Sequence, residues 1–287
     1  FPGLRKPNPE EPEVFRIAER EALQEHADLM IATDPDSDRI GAGVICDSKA
    51  FFFTGNQIGA LLADFLSRQG SVKGKIMVTT VVTGDLGSRI VTSRGATVIH
   101  TLTGSKFVCE EMNHMEAGEF LLGYEESHGY IGGMHIRDKD GVLAAMLLCE
   151  TAAWHKTQGK TLLDALEDLY QEYGYYIDEQ DSFVFEGAKG AKEMQKIMAR
   201  LRSRRGSVFA PLGKPDKMLD YEKGVDELPR SNVLKFFFPN GSWVAVRPSG
   251  TEPKIKFYYC IRGKDQRQAE DLYEAVQNSV EEFLRTF

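Results

Sequence analysis

Cysteine is scarce in this 287-residue chain. The four present, Cys46, Cys109, Cys149 and Cys260, lie far apart and never form CxxC, which argues against a zinc site or a disulfide framework. Reduced thiols in a cytoplasmic protein are the expectation. Basic charge is also short: 35 Lys and Arg against 43 Asp and Glu leave a net charge of −8, too acidic for nonspecific nucleic-acid binding. Long apolar runs are missing as well. The longest, Val142 to Cys149, falls far short of the roughly 18 residues of a membrane-spanning helix, so neither nucleic acid nor membrane is expected as a partner. No basic stretch followed by an apolar core opens the chain, and no repeat or low-complexity tract interrupts it. What is there is globular: 42% hydrophobic and 27% charged residues supply enough apolar surface for packed cores. Phe1 to Pro12 has four prolines and no periodicity, and the chain is expected to be the C-terminal part of something longer.

Periodicity gives the organisation. A short helix over Ala18 to Glu25 precedes the apolar run Asp28 to Ala32, which suits a buried parallel strand. Strands over Ile40 to Cys46, Ala50 to Phe53, Lys75 to Val82 and Ala96 to Thr101 alternate with helices over Asn56 to Gln69 and Leu86 to Arg94, the rhythm of βαβ units. A helix from Gly141 to about His155 is apolar nearly all round and should be buried. Leu162 to Tyr173 is a further helix, and a boundary and hinge fall near Gly174. Beyond it come a helix over Ala191 to Arg204, β-rich runs over Val233 to Phe238, Ser242 to Val246 and Ile255 to Ile261, and a closing helix over Gln266 to Leu284 capped by Asp265. Asn240-Gly241 between two such runs signals a hairpin. The fold class is therefore α/β with a mostly parallel sheet, followed by a smaller α+β domain with an antiparallel sheet.

Four segments are candidates for chemistry. In Asp34-Pro-Asp-Ser-Asp-Arg39, three carboxylates at alternate positions follow a strand directly and repel one another unless a cation neutralises them. A calcium loop of EF-hand type would need Gly at its sixth position and Glu at its twelfth, where this chain has Arg39 and Ile45, so a small site for Mg²⁺ that also holds a phosphate oxygen fits better; a solvated acidic turn is the alternative. In Gly123-Tyr-Glu-Glu-Ser-His-Gly129, Glu125 and Ser127 would point the same way along an extended loop and meet adjacent sugar hydroxyls, though a capped turn has the same composition. Arg137-Asp-Lys-Asp-Gly141 enters the apolar helix at its N-terminus, where anions are favoured; Lys139 there either meets a phosphate or hydroxyl proton or pairs with Asp138 or Asp140. Arg247-Pro-Ser-Gly-Thr-Glu-Pro253 brings a guanidinium fork, two hydroxyls and a glycine together as parts of a phosphate cradle. Two further turns, Thr83 to Gly87 and Thr103 to Lys106, complete no nucleotide motif, and Lys106 is a candidate for substrate contact.

The order of the four segments resembles the α-D-phosphohexomutase family, most of all bacterial phosphoglucomutases and phosphomannomutases, over essentially the whole chain. The resemblance implies residues 1–54 as the end of domain 2, 55–174 as domain 3 and 175–287 as domain 4. It implies that Asp34, Asp36 and Asp38 hold Mg²⁺, that Arg39 sits beside a phosphoserine, that Glu125 and Ser127 read the sugar, and that Arg247, Ser249, Gly250 and Thr251 grip the phosphate of a hexose phosphate. The implied reaction interconverts hexose 1-phosphate and hexose 6-phosphate, of glucose first and mannose second, through a hexose 1,6-bisphosphate, with Lys139 taken as the group exchanging the hydroxyl proton. The family's phosphoserine lies in a Ser-His-Asn-Pro type loop of domain 1. The Ser-His here is Ser127-His128, inside the sugar loop, so the missing N-terminal phosphoserine domain predicts an inactive isolated chain. A phosphopentomutase, a phosphoglucosamine mutase and a noncatalytic sugar-phosphate-binding protein are the alternative readings.

Overall fold

The computed structural model describes residues 3–116, 118–250 and 252–287, in two compact units, Phe1–Tyr173 and Gly174–Phe287. The first begins with helix α1 (Arg16–Glu25) and the strands β1 (Met30–Thr33), β2 (Ile40–Cys46) and β3 (Lys49–Phe53), which form a sheet in that order. β2 and β3 join through Asp47 and Ser48, both at positive φ (48° and 63°), the two-residue hairpin geometry that matches strand twist. β1 pairs antiparallel with β2, not as the parallel strand its apolar run suggests. Only Asp34 to Arg39 separates the two, and a parallel crossover needs roughly a dozen residues or more.

Helix α2 (Gly55–Arg68) follows. Thr54 accepts from the Gln57 amide while the Gln57 side chain accepts from the Thr54 amide, a capping box that fixes where the helix starts. Then come β4 (Ile76–Thr80), α3 (Asp85–Ser93), β5 (Thr97–Thr101), α4 (Ser105–Met112), β6 (Phe120–Tyr124) and β7 (Tyr130–Ile131). Their sheet runs β5-β4-β6-β7, with β5 and β6 parallel to β4 and β7 antiparallel to β6. The turns after β4, β5 and β6 thus gather at the carboxyl ends of parallel strands, the edge where such sheets build sites.

Helices α5 (Gly141–Thr157) and α6 (Leu162–Tyr173) pack with α3 around α2. α5 is less buried than its composition suggests: Ala144, Leu148 and Thr151 face inward, whereas Val142 and Met146 are 68% and 51% exposed. An apolar helix seated on one side of a layer buries only the face it turns to its neighbours.

The second unit holds β8 (Tyr175–Val184), α7 (Gly187–Arg204), β9 (Lys217–Asp220), β10 (Leu234–Phe237), β11 (Trp243–Pro248), β12 (Lys254–Gly263) and α8 (Gln266–Leu284). Its sheet, β8-β12-β11-β10-β9, is antiparallel throughout. Phe236, Val244, Phe257, Ile197, Leu201, Val276 and Val280 join the sheet to α7 and α8 in one core. Asp265 caps α8 by accepting from the Gln268 amide at 2.8 Å. Among the described residues no helix is long and apolar enough to cross a membrane.

Candidate functional site: an aspartate loop clamped to a turn

The loop between β1 and β2 folds on itself because its polar side chains satisfy its own backbone. Ser37 takes φ 58°, its amide donates to the Asp34 carbonyl at 3.1 Å, and the Arg39 amide donates to Asp34 Oδ1 at 3.1 Å. This winding turns the three aspartates toward one another, with one oxygen from each of Asp34, Asp36 and Asp38 within 4.8 Å of the others and Asp36 on the exposed side. Arg39 lies among them: its Nε is 3.8 Å from Asp34 Oδ2 and 3.6 Å from Asp38 Oδ1, and its Nη1 is 3.4 Å from Glu10 Oε1. That Nε is buried without a hydrogen-bond partner. Lys139 Nζ reaches Asp38 Oδ2 at 2.5 Å.

These carboxylates titrate apart. Burial, then the hydrogen bond and charge of Asp38, push the Asp34 carboxyl above its ordinary range despite the Arg39 amide. Burial also works to raise Asp38, but hydrogen bonds from Lys139 and Asp34 and the charges of Lys139 and Arg39 win and hold it below. Four carboxylates, counting Glu10, face two cations in this cluster. A small hard cation with oxygen ligands fits that surplus of negative charge and the raised Asp34.

The segment after β6 is a closed turn, not the extended run that would align Glu125 with Ser127. The Glu125 amide donates to the Gly129 carbonyl at 2.9 Å. Glu125 is 7% exposed, and its Oε1 accepts from the Gly104 amide at 2.7 Å, leaving its second oxygen for a ligand. Glu126 turns away: its Oε2 accepts from the Thr80 and Thr83 hydroxyls, each at 3.3 Å. Ser127 is half-buried. Lys106, in the first turn of α4, is exposed with its ammonium 4.7 Å from the Phe107 ring centre, while Ser105 donates to Asp138 at 2.8 Å.

Backbone contacts join the aspartate loop to this turn and to the start of α5. Arg39 and Gly129 form an isolated antiparallel bridge. The Ile40 amide donates to the His128 carbonyl at 3.2 Å, and His128 Nδ1 lies 2.9 Å from the Ile40 carbonyl oxygen. The Gly141 amide donates to the Ser37 carbonyl at 3.0 Å, an approach so close that a Cβ on Gly141 would stand 2.6 Å from that oxygen. Asp140 caps α5 through the Leu143 amide at 2.9 Å, so Lys139 pairs with Asp38 rather than with its sequence neighbours. The first unit therefore brings together Asp34, Asp36, Asp38, Arg39, Glu125, Ser127 and Lys139.

The second unit presents Arg247 on β11, half-buried and in register with Lys256 of β12. The Ser249 amide donates to the Lys254 carbonyl at 2.8 Å, and Ser249 Oγ accepts from the Glu252 amide at 3.2 Å. Gly250 is exposed, with nothing within 4 Å of where a Cβ would stand. Thr251, the remaining candidate of this cradle, lies outside the described residues. Sequence reasoning missed Glu10, which partners Arg39 from far upstream and carries no local signal. It also missed Gly104 as the donor to Glu125, although that glycine lies in a turn already marked by its motif.

Models of the phosphoglucomutase/phosphomannomutase family match three stretches: alpha/beta/alpha domain II over residues 1–46, alpha/beta/alpha domain III over 54–173, and the C-terminal domain over 184–279. Among curated relatives, a phosphoglucomutase of Staphylococcus haemolyticus is 35% identical over 296 residues, covering 98% of this chain and 54% of its own length. One of Staphylococcus aureus (strain bovine RF122) is 35% identical over 277 residues, covering 91% and 50%. The chain thus spans about half the length of the curated relatives it matches. Of solved structures, the Paramecium phosphoprotein pp63/parafusin, a phosphoglucomutase in its open form, matches with a TM-score of 0.71 at 23% identity, covering 95% of this chain and 49% of that one. A phosphoglucomutase/phosphomannomutase family protein of Burkholderia thailandensis matches at 0.67 and 16%, covering 97% and 52%. At such identities these two establish the fold.

Proposed function

Because the chain belongs to the phosphoglucomutase/phosphomannomutase family, we propose that it forms the metal-, sugar- and phosphate-binding part of a phosphotransferase that interconverts hexose 1-phosphate and hexose 6-phosphate. Glucose phosphates are the first candidate substrates and mannose phosphates the second. Phosphoryl transfer makes few covalent demands on the protein beyond positioning and charge stabilisation, and the residues divide along those lines.

Asp34, Asp36 and Asp38 would hold Mg²⁺, which supplies charge neutralisation at the phosphoryl oxygens. Arg39, pinned between Asp34, Asp38 and Glu10 with an unsatisfied Nε, offers a donor to the same oxygens. Lys139 Nζ, with Asp38 as counterion, exchanges the proton of the sugar hydroxyl. The second oxygen of Glu125 and the Ser127 hydroxyl read the sugar, Lys106 adds a cation beside them, and Arg247, Ser249, Gly250 and Thr251 bind the phosphate that is not being transferred. The cycle passes through a hexose 1,6-bisphosphate and takes its phosphate from a serine outside these 287 residues, so the chain alone binds but does not turn over.

The observation that carries this reading is the bundling of three aspartates with Arg39 and Lys139 against the Glu125 turn. It is tested by calorimetric titration of glucose 1-phosphate and glucose 6-phosphate in Mg²⁺, beside Asp36→Asn and Arg247→Ala. Binding that needs Mg²⁺ and falls at least about tenfold in each variant, the scale of a lost charge-assisted bond, supports the reading. Binding unchanged in both variants overturns it.

A further inference from the structure

His128 is 6% exposed and sits at φ 65°, a left-handed conformation uncommon for a residue with a Cβ. Its ring nitrogen Nδ1 lies 2.9 Å from the Ile40 carbonyl oxygen. A carbonyl only accepts, so Nδ1 carries the proton and donates. The His128 carbonyl in turn accepts from the Ile40 amide at 3.2 Å. Both backbone polar groups of Ile40 therefore meet His128, one through the peptide and one through the ring. Ile40 directly follows Arg39 and stands two residues past Asp38, and Arg39 bridges to Gly129 in a pairing with no ladder on either side. One isolated bridge fixes a register weakly; the ring bond adds a second tie at the same point.

We propose that His128 is a positioning residue that locks the aspartate loop to the sugar turn, holding Asp38 and Arg39 at a fixed register against Glu125 and Ser127. Its chemistry is that of a neutral donor to the protein's own backbone, with no contact to the substrate. The lock rests on the functional reading above for its purpose, and on the Ile40 contacts alone for its existence.

Substitution separates the donor from mere bulk. In His128→Asn the amide nitrogen stands where Nδ1 does, and asparagine tolerates left-handed φ. In His128→Gln the amide is one methylene too far out. The test compares both variants of the full chain with the parent by amide hydrogen exchange and by Mn²⁺ affinity from electron paramagnetic resonance. Expected is fast exchange at the Ile40 amide in His128→Gln, with Val78 and Leu122 in the parallel sheet still protected. Mn²⁺ should bind that variant roughly tenfold or more weakly, the range seen when a residue supporting a metal site is removed. His128→Asn should stay within about twofold of the parent. An Ile40 amide still protected in His128→Gln, or equal damage in His128→Asn, overturns the lock. A parent chain that binds no Mn²⁺ defeats the metal reading instead, and the Ile40 exchange contrast then decides the lock by itself.

Discussion

Lys139 Nζ lies 2.5 Å from Asp38 Oδ2, an ion pair joining the approach to α5 with the loop after β1. Both groups are largely withdrawn from solvent, at 14% and 27% side-chain exposure. The pair decides which of two neighbouring aspartates keeps its charge. Asp38 has the lysine and titrates low, while Asp34 meets burial and the negative Asp38 and titrates high.

Replacing Lys139 by Met removes the hydrogen bond and the positive charge that do most to hold Asp38 down, keeps the weaker pull of Asp34 and Arg39, and leaves the burial that pushes it up. The Asp38 carboxyl should then titrate higher than in the parent, followed by carboxyl-carbon chemical shifts across pH 2 to 7. The stability consequence has a definite sign. A carboxyl depressed below its ordinary value of 3.8 contributes stability that is present above that value and lost as pH falls through the folded one. The variant should therefore lose less stability than the parent on acidification below about pH 4. An Asp38 titration unmoved by the substitution would refute the pairing.

Gly141→Ala is expected to disturb the aspartate loop although alanine is the better helix former. The added Cβ would stand 2.6 Å from the Ser37 carbonyl oxygen and 3.0 Å from that of Arg39, and backbone atoms cannot rotate aside. A loss of about 1–3 kcal/mol and weaker Mn²⁺ binding are expected. Gly70→Ala, where nothing lies within 4 Å, is the matched control. Equal denaturation midpoints for the two variants would show that the loop moves at no cost.

Much of this was legible wherever the physics is local. Asp265 and the amphipathic run after it define α8, and the pattern up to Gly174 gives α6 to the residue. Asp34, Asp36 and Asp38 are visible as a cluster because a short loop keeps sequence neighbours together. What was hidden depends on distant partners. Glu10 reaches Arg39 only because β1 and β2 fold the chain back, and β8, whose middle Asp178 to Ser182 is wholly polar, is a strand because β12 pairs along its whole length. Glu125 and Ser127 looked aligned on an extended segment, yet Gly129 closes that segment into a turn.

Asp64, 2% exposed within α2, accepts from Arg68 Nε at 2.9 Å and also pairs with Arg94, whose Nη1 donates to the Asp64 carbonyl at 2.9 Å. Asp64→Asn leaves two guanidiniums without their counterion and should cost about 3 kcal/mol. Arg68→Ala, at a side chain 41% exposed, should cost under about 1 kcal/mol. Trp154, whose ring lies 5.9 Å from the Arg68 guanidinium carbon, reports the first unit in urea titrations, and Trp243 reports the second. Similar losses from the two substitutions would place the strength of the network in the Arg68 pair and overturn the role given to Arg94.

His155 follows Trp154 and is 6% exposed, with Nε2 buried and unbonded. Burial pulls its pKa below 6.5, and the neighbouring Asp64 only partly offsets this; burial does the same to His128. Each imidazole is therefore protonated more readily in the unfolded chain than in the folded one. Stability is then fully present above 6.5 and falls as pH drops through that value toward the folded pKa, with a slope of at most about 1.4 kcal/mol per pH unit for each histidine. Urea midpoints followed by Trp154 fluorescence should decline between pH 7.5 and 5.5, while those followed by Trp243 change less. In His155→Gln, which cannot take up a proton, the Trp154 decline should shrink by the share of one histidine. A parent profile flat over that range would mean that both imidazoles are as easily protonated in the folded unit as outside it, against the burial that encloses them.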